Sequence, residues 1–142
     1  MSGPVVVDAS VAVKWLVKEE DVEGALRLLE GAADIRAPQM IFGEVANAIW
    51  KKIRRGEITV QTGQEAIGFL PGYIGRVFST DDLLSEALDM ACRFEHPIYD
   101  CLYLEGARRL DLPLVTADLR FIRKFASSAY AASILPLSEW RP

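Results

Sequence analysis

The sequence predicts an α/β fold in which helices cover a central, mostly parallel sheet. Short apolar runs rich in β-branched residues alternate with longer stretches whose apolar positions recur every three or four residues. The first pattern is typical of buried strands and the second of amphipathic helices. Because strands and helices alternate, parallel strands joined by helical crossovers are favoured. The chain has 142 residues with no repeat or long linker, so we expect one domain over residues 1–142.

The first half of the chain contains two predicted strands and four predicted helices. Val5-Val6-Val7 is a continuous β-branched run that ends at Asp8, and residues 35–38 form the second short strand. The helices are predicted over residues 11–18, 21–31, 39–55 and 60–70. Glycine closes two of them, at Gly31 and Gly56, where a helix commonly ends. The fourth is expected to end before Pro71-Gly72.

The second half continues the same alternation. Strands are predicted over residues 75–78, 112–116 and 133–137, and helices over residues 79–94, 97–110 and 119–125. Ser79, with Asp82 three residues later, resembles a capping arrangement for the first of these helices. His96 and Pro97 interrupt the pattern, and Pro97 suits the first turn of the next helix.

The apolar content is high for a protein of this size. Hydrophobic residues make up 51% of the chain, which leaves apolar side chains for a partner surface. No apolar run approaches the roughly 20 residues of a membrane span, and no signal-peptide pattern begins the sequence, so we expect a cytoplasmic protein without a membrane association. Cys92 and Cys101 lack paired-ligand spacing and are expected to be small buried hydrophobes rather than zinc ligands or a disulfide.

The net charge of −4 argues against a broad basic face that holds nucleic acid through phosphate contacts alone. Basic residues nevertheless cluster at Lys51-Lys52, Arg54-Arg55, Arg108-Arg109, and Arg120 with Arg123-Lys124. Each cluster is favoured as a solvated helix face, with phosphate binding as the alternative.

Two aspartates follow predicted strands. Asp8 ends the first strand, and Asp118 comes just after the strand at Leu114-Val115-Thr116. Parallel strands place their carboxyl ends at one edge of the sheet, where open α/β sheets bind their ligands. The alternative for either residue is a simple helix N-cap.

Two further acids lie on predicted helices beside apolar positions. Apolar residues follow Asp100 at three, four and seven positions, which places its carboxyl on a largely apolar stripe. Glu44 lies at the edge of the core-facing stripe of its helix, where the alternative is a boundary glutamate paired with Lys51 or Lys52. A buried charge needs a partner. If all four acids lie at one shared site, that site accounts for the unusual position of each of them.

Clustered carboxylates favour a divalent cation. Two unit charges about 4 Å apart repel by roughly 4 kcal/mol at an effective dielectric near 20, and a cation removes that cost. Oxygen-only ligands indicate Mg²⁺ or Mn²⁺. Such an ion can bring a water to a phosphodiester and neutralise charge on the scissile phosphate.

Four segments that contain these acids resemble, in order, the acidic motifs of PIN domains: residues 6–10, 42–48, 99–103 and 114–118. The resemblance covers nearly the whole chain and implies a three-layer α/β/α PIN-like domain. It implies catalytic and metal-binding roles for Asp8, Glu44, Asp100 and Asp118. It also implies that Ser10 and Thr116 support the acids by hydrogen bonds, although capping or turn formation is an equal alternative.

The short length and the segment Glu-Val-Ala-Asn-Ala at residues 44–48 resemble the VapC branch of that family. This resemblance implies an endoribonuclease that acts on RNA, a homodimer, and inhibition by a VapB-type antitoxin whose carboxyl-terminal segment occupies a groove near the site. The protein would then be the toxin of a type II toxin–antitoxin pair.

Other prominent residues have plainer interpretations. His96 is expected in a loop or cap role and not as a general base, and Trp15, Trp50 and Trp140 are expected in the core or an interface. Phosphotransfer domains also place aspartate at strand ends, but haloacid dehalogenases favour an acid where Ser10 stands. Receiver domains need an acidic pair and a late lysine that cannot be placed here. A non-catalytic module with structural metal is the remaining alternative.

Overall fold

A five-stranded sheet forms the centre of the computed structural model, which describes residues 3–142. Its strands are β1 (Val5–Val7), β2 (Ile35–Pro38), β3 (Arg76–Phe78), β4 (Leu114–Thr116) and β5 (Ile134–Pro136). Their order in the sheet is β3-β2-β1-β4-β5, and every pair of neighbours is parallel. The predicted α/β class with a parallel sheet is therefore confirmed.

Eight α-helices surround the sheet in the described part of the chain. They are α1 (Ala9–Leu16), α2 (Val22–Gly31), α3 (Ile41–Arg54), α4 (Val60–Ile67), α5 (Leu70–Tyr73), α6 (Leu84–Phe94), α7 (Ile98–Leu110) and α8 (Leu119–Phe125). Helix α1 packs on both α2 and α3, α6 packs on α7, and α7 also packs on β1, β2 and β4. This is the expected three-layer arrangement. None of the helices in residues 3–142 combines the length and apolarity needed to cross a bilayer.

The core lies on both sides of β1, the central strand. All three residues of β1 are at most 2% exposed, because β2 and β4 flank the strand and helices cover both faces. Helix α7 is buried over seven consecutive residues, 101–107. Trp15 and Trp140 belong to this core as expected, whereas Trp50 is half exposed.

Chain direction places four element ends at the same edge of the sheet. β1 and β4 are parallel, so Asp8 and Asp118 emerge beside each other after the two strands. α3 follows β2 after a two-residue turn, and its first turn contains Glu44. α7 leads into β4, which begins at the amino edge of the sheet. α7 therefore starts at the carboxyl edge, and its first turn, which contains Asp100, lies there.

Several local predictions were wrong. Ser79 and Asp82 do not form the expected capping pair: the Ser79 hydroxyl accepts from the Asp81 backbone amide at 3.2 Å, while Asp82 pairs with Arg109 at 3.4 Å. A 3₁₀ turn, Asp81–Leu83, therefore precedes α6. Cys92 is exposed on α6 rather than buried, although Cys101 is buried as expected.

The predicted helix over residues 60–70 is also interrupted. α4 ends at Ile67, and Pro71 and Gly72 lie inside the separate four-residue helix α5. Proline is compatible with the first turn of a helix because the amide it lacks has no partner there. α2 ends at Gly31, as predicted. Gly56 has a φ of +75° directly after Arg55, which is the expected glycine stop.

Candidate active site

Asp8 is the most enclosed of the four acids, at 3% exposed. It ends β1 and caps α1, since its Oδ1 accepts from the backbone amides of Ser10 at 3.1 Å and Val11 at 3.4 Å. The hydroxyl of Ser10 donates to Oδ1 at 2.5 Å, and the hydroxyl of Thr116 donates to Oδ2. Asp8 therefore caps α1, which was the alternative interpretation, and it also lies at the carboxyl edge of the sheet.

Burial dominates the ionisation of Asp8. Loss of hydration raises the pKa of its carboxyl to about 7, although hydrogen bonds from Ser10 and Thr116 lower it, and the charge of Asp100 raises it further. A carboxylate in this position is costly to keep ionised in the protein alone. A nearby cation would offset that cost.

Ser10 and Thr116 tie the ends of β1 and β4 together. Their hydroxyl oxygens are 3.3 Å apart. The Ser10 hydroxyl accepts from the backbone amide of Ala117 at 2.9 Å, and the Thr116 hydroxyl accepts from the amide of Asp118 at 3.1 Å. Both side chains therefore contact Asp8, as the resemblance implied, and also fix the turn that leads to Asp118.

Asp118 is the N-cap of α8. Its Oδ1 accepts from the backbone amides of Arg120 at 3.0 Å and Phe121 at 3.2 Å. One carboxylate oxygen is thereby occupied, and the residue is only partly buried. Its charge also raises the pKa of Asp100, which places the two acids within electrostatic reach.

Asp100 is paired with His96, a contact that we did not predict. His96 Nε2 lies 2.6 Å from Asp100 Oδ2, and the His96 side chain is 9% exposed. The imidazole stacks on Phe121 and meets Phe125 edge-on. Burial raises the pKa of Asp100, while the hydrogen bond and charge of His96 lower it. The spacing of four residues between His96 and Asp100 was a usable signal, but His96 stands before Pro97, and we predicted a loop or cap role for it.

Glu44 faces the buried phenol of Tyr103. Glu44 Oε1 and the Tyr103 hydroxyl are both buried, and neither has a hydrogen-bond partner within residues 3–142. Burial raises the pKa of Glu44, the neighbouring Tyr103 hydroxyl lowers it, and the charge of Asp100 raises it. The two groups are thus neighbours whose geometry falls outside that of a hydrogen bond. Tyr103 was expected only as part of an apolar stripe.

Asp100 connects the four acids electrostatically. Its charge acts on both Asp8 and Glu44, and it is itself affected by Asp118. Across residues 3–142, however, no three histidine, cysteine, aspartate or glutamate side chains are arranged to hold one ion directly. The donor chemistry still fits a hard cation, because all four groups offer carboxylate oxygens.

The basic clusters lie on exposed helix surfaces. Arg120, Arg123 and Lys124 line an open cavity of about 510 Å³ on the helix that Asp118 caps. Lys51, Arg54 and Arg55 line another of about 420 Å³. Lys52 instead pairs with Glu19 at 3.3 Å and Glu57 at 3.5 Å, so the suggested pairing of Lys52 with Glu44 is wrong.

Residues 5–126 match the family model of the PIN domain. The sequence is 30% identical over 122 residues to Ribonuclease VapC3 of Pyrobaculum aerophilum, and this alignment covers 84% of the chain and 93% of the relative.

Solved structures show the same fold. PAE2754 from Pyrobaculum aerophilum superimposes with a TM-score of 0.73 at 20% identity, over 97% of this chain and 92% of that one. A chain of a toxin–antitoxin complex from Klebsiella pneumoniae gives a TM-score of 0.63 at 14% identity, over 94% and 97%. At these identities the likeness concerns the backbone architecture.

Proposed function

This chain belongs to the PIN-domain family, and from that premise we propose that it is a Mg²⁺- or Mn²⁺-dependent endoribonuclease. The observation that carries the proposal is the location of four carboxylates at one sheet edge, where burial raises the pKa of Asp8, Glu44 and Asp100. Groups that resist ionisation in the protein alone are suited to a cation that stabilises their charge. The name of the Pyrobaculum relative, a ribonuclease, supports RNA as the substrate.

Asp8, Glu44, Asp100 and Asp118 would hold the cation. When bound, the cation supplies an activated water and neutralises charge on the phosphodiester. Ser10 and Thr116 orient the Asp8 carboxylate from both sides, and His96 orients Asp100. The backbone amides of α8 hold Asp118 in the same way. Three of the four acids are therefore held in place by donors of the protein, so little side-chain freedom is lost when the cation binds.

The basic surface beside Asp118 would position the RNA backbone. Arg120, Arg123 and Lys124 lie on the helix that begins at Asp118. Cationic side chains at this place would contact phosphates next to the scissile bond without reading the base sequence. They would also offset locally the net charge of −4, which otherwise repels RNA.

The first prediction concerns metal dependence. Purified protein, freed from any partner, should cleave single-stranded or loop regions of RNA in the presence of Mg²⁺ or Mn²⁺, and a chelator should stop cleavage until the ion is restored. Denaturing gels of labelled RNA measure the effect, and mapping of cut ends in cells after induction identifies the target. Undiminished cleavage after exhaustive chelation, with contaminating nuclease excluded, would rule out the metal mechanism.

We further propose that the protein is the toxin of a VapBC-type pair and acts in the cytoplasm, where its RNA is found. The fold shared with a chain of a toxin–antitoxin complex supports an antitoxin partner. The whole of residues 1–142 would form one domain, because β5 and the buried Trp140 lie beyond the family match and complete the sheet edge and the core.

Exposed apolar side chains on two helical segments are available for association. Leu84 and Leu88 lie one turn apart on α6 and are about half exposed. Trp50, Val60 and Phe69 are at least half exposed on or just after α3 and α4. Apolar side chains grouped in this way favour protein contacts. We propose that the α6 surface joins two copies of the chain and that the α3–α4 surface binds the antitoxin.

The second prediction tests this assignment. The parent should be a dimer by light scattering at micromolar concentration, and Leu84→Asp with Leu88→Asp should give a monomer, because two charges would be buried at the interface. Trp50→Ser should leave the dimer intact and weaken antitoxin binding, measured by co-purification with the product of an adjacent small open reading frame. A monomeric parent would reject the dimer, and unchanged antitoxin capture by the Trp50 variant would reject the second surface.

A further inference from the structure

Two buried polar atoms of the site lack partners in the described part of the chain: the Tyr103 hydroxyl and Glu44 Oε1. Buried polar groups are nearly always hydrogen-bonded, because each unpaired one costs the free energy of its lost hydration. Two such groups in one place therefore require an explanation. A donor and an acceptor that face each other across the site provide one.

Tyr103 is placed among the acids by helix geometry. It lies three residues after Asp100 on α7, on the same side of the helix, and is only 1% exposed. Burial raises the pKa of its phenol, and the charges of Glu44, Asp8 and Asp100 raise it further. A phenol hydroxyl is a neutral hydrogen-bond donor, and this one lies beside the Glu44 carboxyl.

Glu44 differs from the other acids in its lack of a donor. Asp8 accepts from two hydroxyls, Asp118 from two backbone amides, and Asp100 is bonded to His96. No comparable bond reaches Glu44 Oε1 in residues 3–142. Glutamate also has one more rotatable side-chain bond than aspartate, so it loses more freedom when it is fixed.

We propose that Tyr103 is a positioning residue for Glu44: when the cation is bound, its hydroxyl would donate to one oxygen of the Glu44 carboxylate and leave the other oxygen for the cation. The proposal rests on the proposed function, since it concerns the same site. Within residues 3–142, Glu44 is the acid that lacks a donor, and Tyr103 has the buried hydroxyl that lacks a partner. The proposed hydrogen bond pairs these two groups. Tyr103 does not touch substrate in this role and acts through Glu44.

The third prediction follows for Tyr103→Phe, which removes only the hydroxyl. Mn²⁺ affinity, measured by calorimetry without RNA, should fall by about 10-fold, as for other residues that orient metal ligands. The kcat for RNA cleavage should fall by a similar factor, whereas KM for RNA should stay within about 2-fold because phosphate contacts are intact. The metal-free variant should be no less stable than the parent, because an unpaired buried hydroxyl is removed.

Tyr73→Phe is the matched control. Tyr73 is partly buried and packs edge-on against Trp15, and it is not among the groups that shift the pKa of Asp8, Glu44 or Asp100. The Mn²⁺ affinity and kcat of this variant should therefore equal those of the parent. A double-mutant cycle with Glu44→Gln tests whether Tyr103 affects Mn²⁺ binding through Glu44. In the Glu44→Gln background, Tyr103→Phe should weaken Mn²⁺ binding no further, because the group on which it acts has already been altered.

Three results would overturn the proposal: unchanged Mn²⁺ affinity in Tyr103→Phe, equal losses in both backgrounds, or a clear loss of metal-free stability, which would show that the hydroxyl has a structural partner. If the parent binds Mn²⁺ and cleaves RNA while any of these is seen, only the role of Tyr103 fails. If the parent neither binds Mn²⁺ nor cleaves RNA, the proposed function fails with it.

Discussion

Replacement of Asp8 by asparagine is expected to reduce RNA cleavage at least about 100-fold, because a central charged ligand of the cation is lost. The same change should stabilise the metal-free protein at pH 8. The asparagine amide cannot ionise, whereas the parent must keep a carboxylate in a site that is 3% exposed. The rise of the pKa of Asp8 from 3.8 to about 7 corresponds to on the order of 4 kcal/mol. Asparagine should recover about 1 kcal/mol or more of it, since it keeps only part of the hydrogen bonding.

The effect of Asp8 on the free energy of unfolding depends on pH. A carboxyl whose pKa is raised on folding favours the folded state when protonated. Its contribution is therefore complete below about pH 4, declines between pH 4 and 7, and is absent above pH 7. Denaturant unfolding of metal-free protein from pH 4 to 8 should show a decline in the parent that is shallower in Asp8→Asn.

Asp21→Asn serves as the control for Asp8→Asn, because Asp21 also caps a helix and accepts from the Gly24 amide at 3.1 Å, and asparagine caps equally well. It should keep full cleavage. Equal pH profiles for the parent and Asp8→Asn would show that Asp8 is not held in a site that penalises its charge.

Asp100→Asn is expected to reduce RNA cleavage without destabilising the metal-free fold. Asparagine retains nearly the same shape and can still accept a hydrogen bond from His96, while the charge that acts on Asp8 and Glu44 disappears. The metal-free variant should be as stable as the parent at pH 8 or more so, by on the order of 1 kcal/mol. RNA cleavage should fall at least about 100-fold. The parent should gain stability when Mn²⁺ is added, and the variant should gain much less.

Thermal unfolding with and without Mn²⁺ measures the predicted difference for Asp100→Asn. Asp89→Asn is the matched control, since Asp89 is an exposed acid that pairs with Arg93 on α6, and it should behave as the parent in every assay. Collapse of the metal-free Asp100 variant would mean that the contact with His96 is required for folding, and the assignment of Asp100 as a metal ligand would then be rejected.

Much of the fold could be predicted because local patterns and topology agree. The run Val5–Val7 is buried on both faces, and a continuous β-branched run is what such a strand requires. Predictions failed where contacts distant in sequence decide local structure. Asp82 was expected to take part in capping a helix, but it forms an ion pair with Arg109, which is 27 residues away in sequence. The exposure of Cys92 likewise depends on which side of α6 packs against α7.

The positions of the four acids at strand ends and on the first turns of α3 and α7 could be predicted, since chain direction brings these ends to one edge. Their partners are harder to predict. His96 lies before the helix, and its ring packs against Phe121 and Phe125, which are distant from it in sequence, where it meets Asp100. Tyr103 fits an apolar stripe in sequence, and only the fold shows that its hydroxyl ends beside Glu44. Whether the four acids act together on a cation stays a prediction.

The chelation experiment tests the central claim most directly when cleavage and Mn²⁺ occupancy are followed in the same sample. Chelated protein should be titrated with Mn²⁺, with bound ion measured by electron paramagnetic resonance and RNA cleavage by initial rate. We predict that the rate rises from zero in parallel with occupancy, and that Asp118→Asn lowers both. Cleavage that is already at its full rate before any Mn²⁺ is bound, or that survives in Asp118→Asn without occupancy, would contradict a metal-dependent site built from these acids.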